Sequence, residues 1–384
     1  MLIYEFKLRG KPKQFAAIDE AIRTVQFIRN KAIRFWIDRR GTGKNDLSKL
    51  SATLAAEFPF AKKLNSTARQ QATERAWDAI ANFYDNCKKK APGKKGYPKF
   101  KKDTRSVEYK KSGWKLSEDC RFITFTDGHG IGTLKLIGKQ MLNAFQDKIQ
   151  RVQIVRRADG YYAHFVLKVD RAEEMPVTGS VLGLDFGLTV LWTDSNGGTK
   201  PNPRHLRQAE QALKREQRRI SRKQKGSKNR KKQIQKLARK HLKVSRQRRD
   251  FAIKAARALY QSHDVVVLED LKVRNMVRNH HLAKSISDVG WSMLKDWIQY
   301  FATLFGKVCV LVPPEYSTQE CHACGAREPK PLSQRWHSCP CGCEMDRDQN
   351  AALVLLQRGL KKLEEGSRGH RQTCVATRKT PVDR

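Results

Sequence analysis

C-H-A-C-G (Cys321–Gly325), C-P-C-G-C (Cys339–Cys343) and E-M-D-R-D-Q-N-A-A-L-V-L (Glu344–Leu355) stand close together near the end of the chain. Cysteine pairs one or two residues apart, on either side of a short loop, can close a tetrahedral thiolate site around zinc. Asp346 and Asp348 open the apolar-periodic run that follows, which predicts a helix. Carboxylates at a helix start can hold a hard cation such as magnesium. A zinc knuckle joined to a carboxylate of a two-metal centre is therefore the feature the rest of the chain has to complete.

The chain has 384 residues and a formal net charge of +40, from 78 Lys+Arg against 38 Asp+Glu. Two or three domains fit that length. Self-repulsion on this scale calls for a polyanionic partner, and nucleic acid is the natural one. No run of about 18 apolar residues is present, which excludes a membrane span of the ordinary helical kind. Five of the nine cysteines fall between Cys321 and Cys343, which fits metal binding in a reducing compartment better than disulfides.

Working back to the start, Leu2–Leu8 alternates apolar and polar residues and predicts a strand. From Lys13 the period turns helical, with Phe15, Ile18, Ala21, Ile22, Val25, Ile28 and Ala32 on one stripe; a second helix is predicted over 67–86. The run Gly41-Thr-Gly-Lys44 lacks the upstream glycine and the following Ser/Thr of a phosphate loop, and is set aside. Residues 88–102 are lysine-rich, with Tyr97 and Phe100 interleaved, and their glycines and prolines prevent a helix. Such a loop can meet phosphates while a ring stacks on a base, or it can be a solvated linker. Strands are predicted at 106–109, 122–126, 133–137, 152–156 and 161–169, the last two joined by a turn at Ala158-Asp-Gly160. One early strand, a helical insert and several later strands predict a small barrel interrupted by helices.

Val181–Val190 is an apolar strand carrying Asp185, where an unpaired carboxylate is expensive and a metal ligand makes sense of it. Residues 203–260 predict two basic helices broken at Lys225–Asn229, the second with a seam of Ile234, Leu237, His241, Val244, Phe251, Ala255 and Ala258. Val265–Leu268 is a buried strand closed by Glu269, 287–305 an amphipathic helix, and 307–312 another strand. A polar, basic tail without periodicity is expected from 363 to 384. Carboxylates at Asp185, Glu269 and Asp346 or Asp348 could converge on two magnesium ions, for which hard oxygen ligands are suited.

G-L-D-F-G-L (Gly183–Leu188), K-G-S-K-N (Lys225–Asn229), V-V-L-E-D-L (Val266–Leu271), V-P-P-E-Y-S-T-Q-E-C-H-A-C-G (Val312–Gly325) and D-R-D-Q-N-A-A (Asp346–Ala352) resemble TnpB, with Y-P-K-F-K-K (Tyr97–Lys102) and S-V-E-Y (Ser106–Tyr109) adding to the likeness. This is the transposon-encoded RNA-guided nuclease family, also called OrfB or transposase, related to type V CRISPR effectors. The resemblance implies an α/β and α+β multidomain protein. Its parts would be a wedge-like β-barrel (1–12 and 103–175), a helical recognition insert (13–102), a RuvC-type, RNase H-like nuclease domain (176–315 and 345–362) and a zinc knuckle (316–344).

It implies magnesium at Asp185, Glu269 and one of Asp346 and Asp348, Asp348 being favoured because it adjoins the Asn-Ala-Ala helix start. Asp346 would then support Arg347 or the metal's outer shell. Zinc would sit on Cys321, Cys324, Cys339 and Cys341, with Cys343 as the alternative fourth ligand because the second half of the knuckle departs from the family's C-x2-C. The implied partners are a guide RNA and double-stranded target DNA. Gln70, Lys99, Lys101, Lys225, Lys228, Arg230 and Arg347 are the candidate nucleic-acid contacts. A monomer per guide RNA, in a bacterial or archaeal cytoplasm at the nucleoid, completes the expectation. The alternatives are a non-cleaving RNA-guided regulator and a strand-joining transposase.

Overall fold

The computed structural model describes residues 2–90, 93–138, 141–169, 171–331 and 333–368, and divides into two compact units, 1–170 and 171–384. In the first unit β1 (Leu2–Arg9) leads into α1 (Pro12–Asp38), α2 (Lys44–Glu57), α3 (Pro59–Lys62) and α4 (Ser66–Lys88). Strands β2 (Ser106–Tyr109), β3 (Trp114–Leu116), β4 (Phe122–Phe125), β5 (Gly132–Ile137), β6 (Ile149–Arg157) and β7 (Gly160–Leu167) follow. All seven strands pair antiparallel in the order β2-β6-β7-β1-β5-β4-β3. The sheet curls: Tyr109 of β2 meets Phe125 of β4 with ring centroids 5.0 Å apart, and Trp114 of β3 meets Phe165 of β7 at 6.4 Å. The pairing order leaves β2 and β3 as the edges of this curl.

Helix α1 serves two cores. Ile18, Ile22, Val25 and Ile28 pack with the sheet's inner residues, while Ala32 and Ile33 pack with Leu47, Ala76 and Ile80 of α2 and α4. The Gly-Thr-Gly-Lys run only introduces α2, with Asp46 accepting from the Gly43 N–H at 2.8 Å. The lysine-rich segment after α4 is pinned at its backbone while Lys99, Lys101 and Lys102 stay exposed. Arg29 Nη1 donates to the Lys99 carbonyl at 3.1 Å, Asn30 Nδ2 to the Lys101 carbonyl at 2.9 Å, and the Lys101 N–H to Asn30 Oδ1 at 2.9 Å.

The second unit holds β8 (Val181–Phe186), β9 (Val190–Asp194), β10 (Thr199–Pro201), α5 (His205–Ser221), α6 (Lys228–Ser262), β11 (Val265–Glu269), α7 (Val273–Met276), α8 (Ala283–Val289), α9 (Trp291–Phe305), β12 (Val308–Val312), β13 (Trp336–Ser338), β14 (Glu344–Asp346) and α10 (Arg347–Arg368). Its main sheet runs β10-β9-β8-β11-β12; β8, β11 and β12 are parallel, and β9 and β10 antiparallel. The parallel strands are near-continuous apolar runs because helices cover both faces. Ala252, Ala255 and Leu259 of α6 and Trp297, Ile298 and Phe301 of α9 pack on one side, and Leu355 of α10 on the other. Gly183 lets α10 lie flush on β8: a Cβ there would stand 2.2 Å from the Ala352 carbonyl oxygen.

Three expectations are corrected. Ile234, His241 and Ala258 are exposed, so the predicted seam is misplaced. The two basic helices instead bury Leu213, Val244 and a polar pair in which Gln233 donates to Glu216, with Lys240 on Glu216 at 2.9 Å. The single helix predicted over 287–305 is two, broken at Gly290, whose φ of 73° suits glycine. The tail expected from 363 continues α10 through Arg368, and the rest of it lies outside the described residues. Among the described residues no helix is long and apolar enough to cross a membrane.

Candidate active site and metal centre

Asp185 sits one residue before the end of β8, and Glu269 is the last residue of the neighbouring parallel strand β11. The pairing of these strands brings both carboxylates to the same sheet end, 8% and 6% exposed. The Phe186 N–H donates to Glu269 Oε1 at 2.9 Å. Burial, then the negative field of Glu269, then a hydrogen bond with it and the field of Asp348 hold the Asp185 carboxyl well above the usual carboxylate range; Arg347 opposes this. Burial also raises Glu269, against the Phe186 N–H and the Asp185 hydrogen bond, with Asp348 raising it further. Two buried acids whose charged forms are both disfavoured are a site that a divalent cation would neutralise.

Asp346 and Asp348 have different tasks. Asp346 is exposed, and its Oδ1 accepts from the N–H groups of Asp348 and Gln349 at 2.9 and 3.0 Å, so it caps α10. Asp348 faces the other two acids closely enough to raise both. Its carboxylate is held by Arg347 Nη2 at 2.9 Å and Arg335 Nη1 at 3.3 Å. The three carboxylates together do not come within 4.8 Å of one another, whereas four cysteine sulfurs do. They share one field, with Asp348 drawn aside by its arginines. Arg347 is 7% exposed and also donates to the Gln334 carbonyl at 2.9 Å. The guanidinium expected to meet nucleic acid is thus engaged within the protein, and Asp346, expected to support Arg347 or the metal's outer shell, caps the helix.

The four sulfurs belong to Cys321, Cys324, Cys339 and Cys341. Cys321 and Cys341 are 3.7 Å apart and Cys324 and Cys339 3.5 Å. Zn–S bonds of about 2.3 Å in a tetrahedron put sulfurs about 3.8 Å apart, so the set fits zinc. Burial would raise Cys321, but N–H donors from Cys324 and Ala323 and the neighbouring His337 ring outweigh it, and the thiol falls to about 5. Cys343 is outside this set of four; its sulfur is 3.6 Å from His322 Nδ1, and it groups closely with Cys321 and His337. Cys341→Ser is expected to strip most of the zinc measured by mass spectrometry, and Cys343→Ser to leave it in place.

Two residues outside the expected set position this centre. Asn350, fully buried on α10, accepts from the His322 N–H at 3.0 Å and donates to the Glu320 carbonyl at 2.7 Å, tying the first knuckle turn to the helix that carries Asp348. His337, 1% exposed, receives Lys330 on Nδ1 and brings a ring nitrogen within 4.8 Å of the Cys321 and Cys343 sulfurs. The adjacency of Asn350 to D-R-D was visible in the sequence; nothing there marked His337. Gln70 is exposed on α4, Lys99 and Lys101 on the pinned loop, and Lys225 and Lys228 at the hairpin tip. Arg230 is half-buried at the start of α6.

Comparisons with known proteins divide along these parts. Residues 164–280, which include Asp185 and Glu269, match the OrfB_IS605 family, described as "Probable transposase". Residues 291–355, with the cysteines and Asp348, match the Cas12f1-like TNB domain. A Streptomyces pristinaespiralis protein named "Putative RNA-guided DNA endonuclease" is 32% identical over 92% of this chain and 89% of its own length. Escherichia coli K12 InsQ, which carries the same designation, is 25% identical over 93% of this chain and 92% of its own. The structure is similar to a Cas12f1 chain solved in a complex with single-guide RNA and target DNA. The TM-score is 0.53 at 13% identity, covering 89% of this chain and 81% of that one, a likeness of fold. With this identity over nearly the full length of both chains, the protein belongs to the TnpB (OrfB, InsQ) family.

Proposed function

We propose that the protein is an RNA-guided DNA endonuclease of an insertion sequence, cutting guide-matched DNA beside a short flanking motif. The carrying observation is the common field of Asp185, Glu269 and Asp348, three acids from two parallel strands and the helix laid across them. The strand order with its antiparallel β9 and β10 edge supports a RuvC-type, RNase H-like domain. The names of the full-length relatives support RNA guidance and endonuclease action. Guide pairing would supply sequence specificity, while the protein reads only the flanking motif. Exposed Gln70 is the candidate for that reading, and the exposed lysines are candidates for phosphates.

Asp185, Glu269 and Asp348 would hold two magnesium ions. When bound, the ions supply an activated water and stabilisation of the leaving 3′ oxygen. The chain's own work is to keep Asp185 and Glu269 dry, to orient Glu269 through the Phe186 N–H, and to deliver Asp348 on α10. Four thiolates and no open position make the zinc a structural clip.

Purified protein with its copurifying RNA is expected to cut guide-matched DNA only with magnesium. Repression of a guide-matched promoter without strand breaks would sink the nuclease in favour of a regulator, and strand joining without RNA would favour a transposase. Because burial favours the protonated forms of Asp185 and Glu269 and a cation needs their charged forms, cutting should accelerate as pH rises, by up to about tenfold per unit below their raised range. A flat profile under single-turnover conditions would contradict that.

A further inference from the structure

Tyr97 and Phe100 both stand exposed on the lysine-rich segment, 51% and 49%, yet the structure gives them different surroundings. Tyr97 is enclosed by other rings. Its centroid lies 5.5 Å from Trp36 and 5.3 Å from Phe83, and Trp36 donates to the Tyr84 hydroxyl at 3.1 Å. That ring holds the segment against the ends of α1 and α4. Among the described residues Phe100 has no ring partner.

Its backbone is nevertheless fixed on both sides, by Arg29 at the Lys99 carbonyl and by Asn30 at both backbone groups of Lys101. Lys99, Lys101 and Lys102 around it are exposed. A half-exposed phenyl on mobile backbone would be unremarked surface. On clamped backbone among lysines, it is presented with its orientation entropy already lost.

We propose that Phe100 is a stacking platform for one unpaired nucleobase, with Lys99, Lys101 and Lys102 on the adjoining phosphates. The partner class, nucleic acid, rests on the function proposed above, but no cleavage step is needed. Each base has a π-face, so such a platform tolerates sequence and takes its discrimination from the presence of a base. A lysine-only surface would take phosphates whether or not bases were present.

The test is fluorescence anisotropy with the full-length protein, freed of copurifying RNA by high salt, against uridine-tract RNA, thymidine-tract DNA and an abasic tract. Phe100→Ala and Phe100→Leu are expected to weaken binding to the preferred tract about 5- to 100-fold, with Phe100→Trp retaining it. Leucine keeps the apolar area and removes the ring, which separates stacking from hydrophobic packing. Phe100→Ala should leave the salt dependence unchanged, while Lys99→Gln with Lys101→Gln should lower its slope by about 1 to 2. Tyr97→Ala should lower thermal stability and keep the preference for a base over an abasic site. Stronger binding of RNA, or of DNA, identifies the strand, and either supports the platform. Wild-type affinity in Phe100→Leu, or equal binding of the abasic tract by the wild type, overturns it. Guide-dependent cutting could survive that failure, so the two readings fail separately.

Discussion

Asp185→Asn is expected to lower guide-dependent cutting by more than about 10³-fold, equivalent to about 4 kcal/mol of transition-state stabilisation, while raising the melting temperature of the magnesium-free protein. Both effects have one cause. Asp185 is buried beside Glu269 and feels Asp348, so its carboxyl is held well above its ordinary value and opposes folding when ionised. The sign follows from proton counting. The folded state binds more protons than the unfolded one, so stability is fully present below the unfolded carboxylate range and is lost as pH rises through the raised folded value. Asparagine keeps the shape and removes the charge. A rise of about 2–4 °C per kcal/mol regained is expected near neutral pH, fading in acid. A melting temperature that falls at pH 8 would show that Asp185 is satisfied by something other than a cation.

The second large effect separates two acids only two residues apart. Asp348→Ala should abolish cutting to the same extent as Asp185→Asn, because its carboxylate is the one that feels the buried pair. Asp346→Ala removes the acceptor for two N–H groups at the head of α10. A cap is worth about 1 kcal/mol, so a small loss of stability and less than about tenfold in cutting are expected. Equal, complete loss in both variants would show that the cap and the acid cannot be separated. Loss in Asp346→Ala alone would reverse the assignment.

Much of this was legible in the sequence, because it was written in local patterns. Apolar runs marked β8 and β11, and an acid inside each run was conspicuous because burying it is costly. Alternation marked the strands of the first unit, and cysteine spacing marked the knuckle. What stayed hidden depends on partners distant in the chain. Asp348, favoured by its place at the helix start, meets the field of Asp185 and Glu269 only through the fold. The roles of Tyr97 and Phe100 turned on Trp36, Asn30 and Arg29, some sixty to seventy residues earlier. The seam between α5 and α6 was misread because heptad spacing assumed an apolar contact, while the fold placed Glu216 and Gln233 there. His337 gave no signal, since a lone histidine in a strand is most often packing.

The cap at Asp346 also bears on how much the knuckle can vary in length. A helix counts its residues from its first turn, and each residue inserted beyond that point turns the remainder by about 100°. Because α10 is seated on the sheet through Ala352 and Leu355, whatever happens upstream of the cap, including the short Cys339-Pro-Cys341 half, leaves Asp348 in phase with it. A glycine inserted after Gly342 should therefore be tolerated by the acid site, provided zinc is kept. The same glycine after Asp348 should swing the acid out of phase with the part of α10 packed on the sheet and silence the enzyme with its zinc content intact. The loop can change length, and the interval between Asp348 and the residues that seat α10 on the sheet cannot.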